Sequence, residues 1–119
     1  MKDLAPHLFR QRLLIEGLYT IELSREKLSA YLLGVAAHLG LKAYGEPAIY
    51  SPAGLGKAEN QGFDAFLPLV DSGISTYVWS AARFFSIVLY TCKGFDEAAA
   101  IAYTREFFAA TGDVESLSF

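Results

Sequence analysis

The chain has 119 residues, which is enough for one domain (1–119) with a buried core and too short for two. Its 13 acidic residues exceed its 10 Lys and Arg, and the formal net charge of −3 argues against a nucleic-acid-binding protein. No apolar run is long enough to span a membrane, so we expect no membrane insertion. Cys92 is the only cysteine, which excludes a disulfide framework and favours the reducing cytoplasm.

Aromatic residues are unusually frequent, since nine Phe and seven Tyr contribute to a hydrophobic fraction of 53%. A single small core cannot hide this much apolar surface. We therefore expect a subunit interface, most simply that of a homodimer.

The first half of the chain predicts a strand at 8–21, a helix at 24–40 and a second strand at 42–50. The first strand alternates imperfectly, with Leu13, Ile15 and Leu18 as its apolar positions. In the helix, Ser24 is a typical N-cap and Gly40 a typical stop. The proline of the second strand favours a sheet edge or a bulge.

The second half predicts strands at 63–70, 74–79 and 83–92, followed by a helix at 96–112. Asp96 caps this helix and Gly112 closes it. The tail 113–119 carries no clear signal. Hairpin-linked strands with two helices predict an α+β fold, a two-layer sandwich in which an antiparallel sheet carries both helices on one face. The other sheet face then meets water or a second subunit.

The stretch "LVDSGISTYVW", residues 69–79, allows two interpretations of Asp71-Ser72-Gly73. Such a tripeptide between apolar runs is an ordinary turn. Ser72 also carries a hydroxyl directly after the Asp71 carbonyl, and Gly73 lets the backbone bend towards it. The peptide bond between Asp71 and Ser72 is therefore also a candidate for self-cleavage.

Other candidate sites give weaker signals. His7 and His38 are far apart, and no Cys/His cluster has ligand spacing, so we predict no metal site. Cys92, at the end of a predicted strand, has the pattern of a small buried hydrophobe or, next to a helix start, of a reactive thiol. Tyr77 and Trp79 share one sheet face, where they pack in a core or stack on a planar ligand.

The predicted elements and the candidate residues, taken together, resemble the prokaryotic S-adenosylmethionine decarboxylase family. The resemblance spans roughly residues 12–110 and rests on the order of elements and on the run "DSGISTYVW…FFSIVLYTCKGFDEAAAIAYTREFF". Thr91-Cys92 follow at the family's distance, and "YSPAG" at 50–54 is similar to a further family segment. The residues in register within the first part of the run are Asp71, Ser72, Ile74, Ser75 and Trp79.

The resemblance implies a self-cleaving, pyruvoyl-dependent decarboxylase of polyamine-type metabolism. Ser72 would attack the Asp71 carbonyl, and the chain would split between these two residues. A pyruvoyl group derived from Ser72 would then serve as the cofactor, an electron sink for decarboxylation. By the same resemblance Cys92 would return a proton to the substrate carbon, and Tyr50 would stack on the adenine of adenosylmethionine.

The chain departs from the family at four positions. Tyr77 and Gly73 stand where the family has histidines, Asp64 where it has a serine that assists cleavage, and Ala81 where a glutamate binds the ribose. We predict that Tyr77 and Asp64 act together in place of the missing histidine, as a phenol polarised by a carboxylate.

Three hypotheses follow. The first is a divergent decarboxylase of adenosylmethionine or a related amino acid, with Ser72, Cys92, Tyr77 and Asp64 as catalytic residues. The second is an unprocessed homologue without decarboxylase activity that binds a small ligand or a partner subunit. The third is an enzyme with another reaction that uses Asp64 or Tyr77 as acid or base.

Overall fold

The computed structural model describes residues 1–51 and 54–119, and its centre is a six-stranded antiparallel sheet. The strands lie in the order β2-β3-β4-β5-β1-β6, and every neighbouring pair is antiparallel. This confirms the predicted α+β class. The elements are β1 (Gln11–Leu18), α1 (Arg25–His38), β2 (Ala48–Tyr50), β3 (Gly62–Leu69), β4 (Ser72–Trp79), β5 (Phe84–Thr91), α2 (Glu97–Phe107) and β6 (Thr111–Ser118).

Both helices cover the same face of the sheet, as predicted, and enclose one core with it. Strand residues whose side chains point to the helices are almost completely buried, among them Ile15, Leu67, Ile74 and Ile87. From α2 and the residue after it, Ala100 and Phe108 join this cluster. The opposite side, which we call the open face, carries the alternate residues of every strand.

The predicted helix signals are confirmed for α1. Ser24 Oγ accepts a hydrogen bond from the backbone N–H of Lys27 at 3.1 Å, which satisfies one of the free donors of the first turn. Gly40 has a φ of 70°, the left-handed conformation that ends many helices. These two local signals need no tertiary contact, which explains why the sequence reveals them.

The predicted end of α2 at Gly112 is wrong. The helix ends at Phe107, and the backbone N–H of Ala110 donates to the carbonyl of Arg105 while Ala109 has a φ of 44°. This is a Schellman ending, made without the usual glycine. Gly112, with a φ of 72°, lies instead near the start of β6.

The tail that carries no clear signal in the sequence forms β6 and pairs with β1. Its residues are exposed except for the half-buried Val114, so it lacks the alternating burial of a typical strand. The imperfect alternation of β1 arises at its end, where Leu18 is 47% exposed, whereas Tyr19 is buried with Leu13 and Ile15.

The second predicted strand is shorter than expected. Only Ala48–Tyr50 pairs with β3, and residue Ala43 makes an isolated bridge to Leu69. The strand lies at the sheet edge, as its proline predicts. Of the segment 50–54 that enters the family resemblance, Pro52 and Ala53 lie outside the described residues. Within the described ranges, no helix is long and apolar enough to cross a bilayer.

Candidate functional site

The bond between Asp71 and Ser72 lies at the hairpin turn between β3 and β4. Leu69 pairs with Ser72 across the hairpin, which leaves Val70 and Asp71 as the two turn residues. Asp71 has a φ of 60°. This left-handed conformation is strained for most side chains, although Asp tolerates it better than most. A turn is thus present, but it consists of Val70 and Asp71, whereas Ser72 and Gly73 of the tripeptide already belong to β4.

Ser72 and Cys92 meet at this end of the sheet. Ser72 is paired with Thr91, and its Oγ accepts a hydrogen bond from the backbone N–H of Cys92 at 3.2 Å. Ser72 is half-buried, whereas Cys92 is exposed just beyond β5. The interpretation of Cys92 as a small buried hydrophobe is wrong, because the chain turns away from the sheet directly after Thr91.

Tyr50, Asp64 and Tyr77 lie side by side on the open face. Asp64 is the direct partner of Tyr50 on one side and of Tyr77 on the other. Tyr50 is 67% and Tyr77 42% exposed. A cavity of about 200 Å³ is lined by these three side chains together with Phe66 and Ser75. The register thus brings together three residues that are widely separated in sequence.

Tyr50, Asp64 and Tyr77 form a row across the strands, and this row continues with residues that the sequence pattern does not single out. Tyr77 pairs with Ser86, Ser86 pairs with Glu16, and Glu16 pairs with Glu115. Ser86 Oγ donates a hydrogen bond to Glu16 Oε2 at 2.7 Å. Only the strand register reveals this row, since its members come from six different strands.

Trp79 adds an aromatic wall beside the row. Its indole ring lies 5.2 Å from the ring of Phe84, and its Nε1 donates to Asn60 Oδ1 at 3.2 Å. Together with Asp64 and Tyr77 it lines a second cavity of about 300 Å³. Tyr77 and Trp79 share the open face, as predicted from their spacing.

The row does not reach the hairpin turn. Tyr77 lies five residues beyond Ser72, which corresponds to roughly 16 Å along an extended strand. By strand alternation the two side chains also point to opposite faces, because Ser72 has the parity of the buried Ile74. Ala81 is exposed in the turn between β4 and β5, just after Trp79.

The ring of Phe66 occupies the space above Gly73. A Cβ atom at position 73 would lie 2.6 Å from two ring carbons of Phe66, far inside normal contact. A side chain at position 73 would therefore force the half-exposed ring of Phe66 to shift, and this constraint arises within the strand and not in the turn. Phe66 is a further residue of the site region that the sequence pattern did not single out.

Basic residues surround a third cavity, of about 650 Å³, at the hairpin end of the open face. Its charged lining residues are Lys2, Asp3, Arg10 and Arg12, and Leu4 and Phe119 contribute apolar walls. Arg10 Nη2 donates to Asp3 Oδ1 at 2.5 Å. The backbone N–H of Ala5 and the Arg10 guanidinium hold the pKa of Asp3 below its ordinary value, and the same ion pair raises the pKa of Arg10.

The two histidines contribute to no such cluster. His38 ends α1 and packs against the ring of Tyr103 at 5.1 Å, while His7 is exposed before β1. In the part of the chain that the structure describes, no group of three or more His, Cys, Asp and Glu residues is arranged to hold a metal ion.

Comparison with known proteins gives a structural match and no sequence match. No protein-family model matches the chain, and neither does any curated protein. The crystal structure of the adenosylmethionine decarboxylase from Aquifex aeolicus VF5 matches with a TM-score of 0.71. The match covers 94% of this chain and 89% of that chain at 17% sequence identity. This chain therefore has the fold of an adenosylmethionine decarboxylase.

Proposed function

We propose that the chain is a divergent pyruvoyl-dependent decarboxylase that cleaves itself between Asp71 and Ser72. Its substrate would be adenosylmethionine or a related amino acid. The observation that carries this proposal is the contact between Ser72 and Cys92 at the hairpin turn. The shared fold supports it, since the Aquifex protein of the same fold is an adenosylmethionine decarboxylase.

In the proposed self-cleavage, Ser72 Oγ attacks the carbonyl carbon of Asp71, and the peptide C–N bond breaks as an ester forms. Elimination then breaks the ester C–O bond and releases residues 1–71 with a new terminal carboxylate. The dehydroalanine left at position 72 takes up water and loses ammonia, which produces the ketone. The left-handed conformation of Asp71 supports this route, because opening the turn relieves backbone strain.

The residues around the turn fit a pyruvoyl group. Ser72 Oγ already accepts a hydrogen bond from the Cys92 N–H, so a polar donor faces position 72. Such a group supplies a ketone that binds a substrate amine and withdraws electrons as carbon dioxide leaves. The exposed Cys92 Sγ would hold the proton that returns to the substrate carbon.

The aromatic and acidic residues of the row would bind a planar group on the open face. Tyr50, Tyr77 and Trp79 offer exposed ring faces on which a planar group can stack. Asp64, between Tyr50 and Tyr77, would accept hydrogen bonds from that group and polarise the Tyr77 phenol. Within one chain this row lies far along the strand from Ser72 and on the opposite face of the sheet, so it does not activate Ser72.

A second candidate function is an unprocessed homologue that binds a small ligand or a partner subunit. Two observations favour it. The hydrogen bond to Ser72 Oγ comes from an N–H donor, which does not remove the hydroxyl proton. Tyr77, which stands in for the family's histidine, belongs to the other face of the strand.

Intact mass spectrometry after prolonged incubation separates the two candidates. Self-cleavage predicts two fragments, 1–71 and 72–119, with the second lighter by one ammonia than a fragment that begins with serine. Ser72→Ala should abolish the split, whereas the matched control Ser75→Ala, on the same strand, should retain it. A wild-type chain that remains one intact species rules out the decarboxylase and leaves the second candidate.

We also propose that a second copy of the chain covers the open face. Apolar and aromatic side chains remain exposed on this face of a small chain. They include Leu18, Phe66, Tyr77, Tyr90 and Leu117, each between 42% and 56% exposed. A homodimer would cover them by pairing the same patch on both subunits.

A further inference from the structure

The cavity at the hairpin end of the open face has an excess of positive charge. Lys2, Arg10 and Arg12 line it, and Asp3 is the one acidic side chain among its lining residues. Asp3 is already engaged with Arg10 through the ion pair at 2.5 Å. Two cationic side chains therefore remain for an external anion.

Arg12 is the residue of this cavity that has a buried hydrogen-bond donor without an acceptor. Its Nε is buried, and no acceptor for it occurs among residues 1–51 and 54–119. Its guanidinium carbon lies 5.4 Å from the ring centre of Phe119, which holds the planar group in place by a cation–π contact. A guanidinium fixed in this way presents a paired set of donors that suits a carboxylate.

The cavity lies at the same end of the sheet as the proposed reaction centre. Arg12 pairs with Tyr90, and Tyr90 pairs with Gly73, the residue after Ser72. Arg10 directly precedes β1. If the register between β1 and β5 is continued by one residue, Arg10 lies opposite Cys92. Tyr90 and Cys92 both lie near enough to contribute to the raised pKa of Arg10. An anion held here is thus at the same end of the sheet as Cys92 and the hairpin turn, two strands away from β4.

The departing carboxylate of a decarboxylation is a poor occupant for this cavity. That group loses its charge in the transition state, so a pair of guanidinium groups around it would stabilise the substrate more than the transition state. An anionic group that remains on the substrate suffers no such penalty. The apolar walls of Leu4 and Phe119 suit the methylene chain that would carry it.

We infer that Arg12, with Lys2 and Arg10, binds the side-chain carboxylate of a dicarboxylic amino acid substrate. This inference rests on the proposed decarboxylase function and narrows its substrate class. The same positive field disfavours a sulfonium substrate, because like charges repel in a partly enclosed site.

The test uses the full-length Ser72→Ala chain, so that binding is measured whether or not the wild-type chain cleaves. Calorimetric titration with L-glutamate and L-2-aminoadipate should show binding, and titration with the uncharged L-norleucine should not. Arg12→Gln should weaken the binding of the two dicarboxylates at least about tenfold, because it removes charge-assisted hydrogen bonds. Arg12→Lys should restore part of the affinity.

The matched control is Arg25→Gln, which removes the same charge from the start of α1, where Arg25 donates to the carbonyl of Ile49. This variant should bind the dicarboxylates like the Ser72→Ala parent. Equal binding of norleucine and glutamate, or equal losses for the two arginine variants, would overturn the inference. So would inorganic phosphate binding as tightly as the dicarboxylates. Self-cleavage is scored separately on the wild-type chain, so failure of one proposal is not read as failure of the other.

Discussion

At the scale of single residues, Gly73 and Phe66 determine how this hairpin differs from the family pattern. The family resemblance implies a histidine at position 73, but here the ring of Phe66 lies where a Cβ atom would be, at 2.6 Å. The two residues pack against each other on neighbouring strands. A larger residue at position 73 would therefore require a different position of the Phe66 ring.

We expect Gly73→His to lower the free energy of unfolding by about 1 kcal/mol, the lower end of the overpacking range, because the half-exposed Phe66 ring must shift to admit the new side chain. In the double variant Phe66→Ala/Gly73→His, removing that ring should recover part of the loss, so the two changes should be non-additive. Urea unfolding measures both effects. Gly45→His is the control, since nothing lies within 4 Å of a Cβ at that position. Additive effects of the two changes would contradict the packing argument.

At the scale of secondary-structure elements, one buried hydrogen bond joins the two helices. Thr104 Oγ1 of α2 donates to the carbonyl of Ala100, and so it accepts from the Tyr31 hydroxyl of α1 at 2.7 Å. Both side chains are fully buried. Burial raises the pKa of the Tyr31 phenol well above its ordinary value, because the phenolate would be desolvated there.

The raised pKa predicts a loss of stability at high pH. Above about pH 10 the unfolded chain releases the Tyr31 proton while the folded chain retains it, so the free energy of unfolding falls as pH rises. Tyr31→Phe should cost about 1 kcal/mol at neutral pH and make the alkaline decline less steep. Unfolding curves between neutral and alkaline pH test this. Tyr44→Phe, at a 69% exposed tyrosine, should leave the slope unchanged.

The helices and strands also differ in how far they could be predicted from the sequence. The first helix was predictable because Ser24 and Gly40 mark its ends locally. The strand β6 was not, since its exposed residues gain their place only by pairing with β1. The end of α2 was misjudged because Ala109 adopts the conformation that the pattern assigns to a glycine.

The candidate site shows the same division. Ser72, Cys92, Asp64 and Tyr77 are candidates through the family resemblance, and the register brings them together in two pairs. The pairing of Glu16 with Ser86 required the register between β1 and β5, which the sequence does not encode locally. The cavity between Lys2, Arg12 and Phe119 likewise joins residues from the two extremes of the described chain.

At the scale of the whole molecule, the open face has the dimensions of a protein interface. Five of the strands have eight residues each and β2 has three. At a strand spacing of about 4.8 Å they cover on the order of 700 Å² of plane, and a standard interface buries about 800 Å² on each partner. The helices leave this entire side uncovered. The face is thus large enough to hold a stable dimer together.

We expect the chain to sediment as a homodimer in analytical ultracentrifugation at micromolar concentration. Val88→Lys, at a half-buried position of β5 whose side chain belongs to the open face, should shift the equilibrium towards monomer by at least about tenfold, because an interface core does not accept an unpaired ammonium group. Leu55→Lys, at a 70% exposed loop position away from the sheet, should leave the dimer intact. Thermal unfolding of the monomerised variant must remain cooperative, so that the shift reports on the interface and not on the fold. A wild-type chain that stays monomeric, or equal dissociation of the two variants, would mean that the open face does not pair with a second copy.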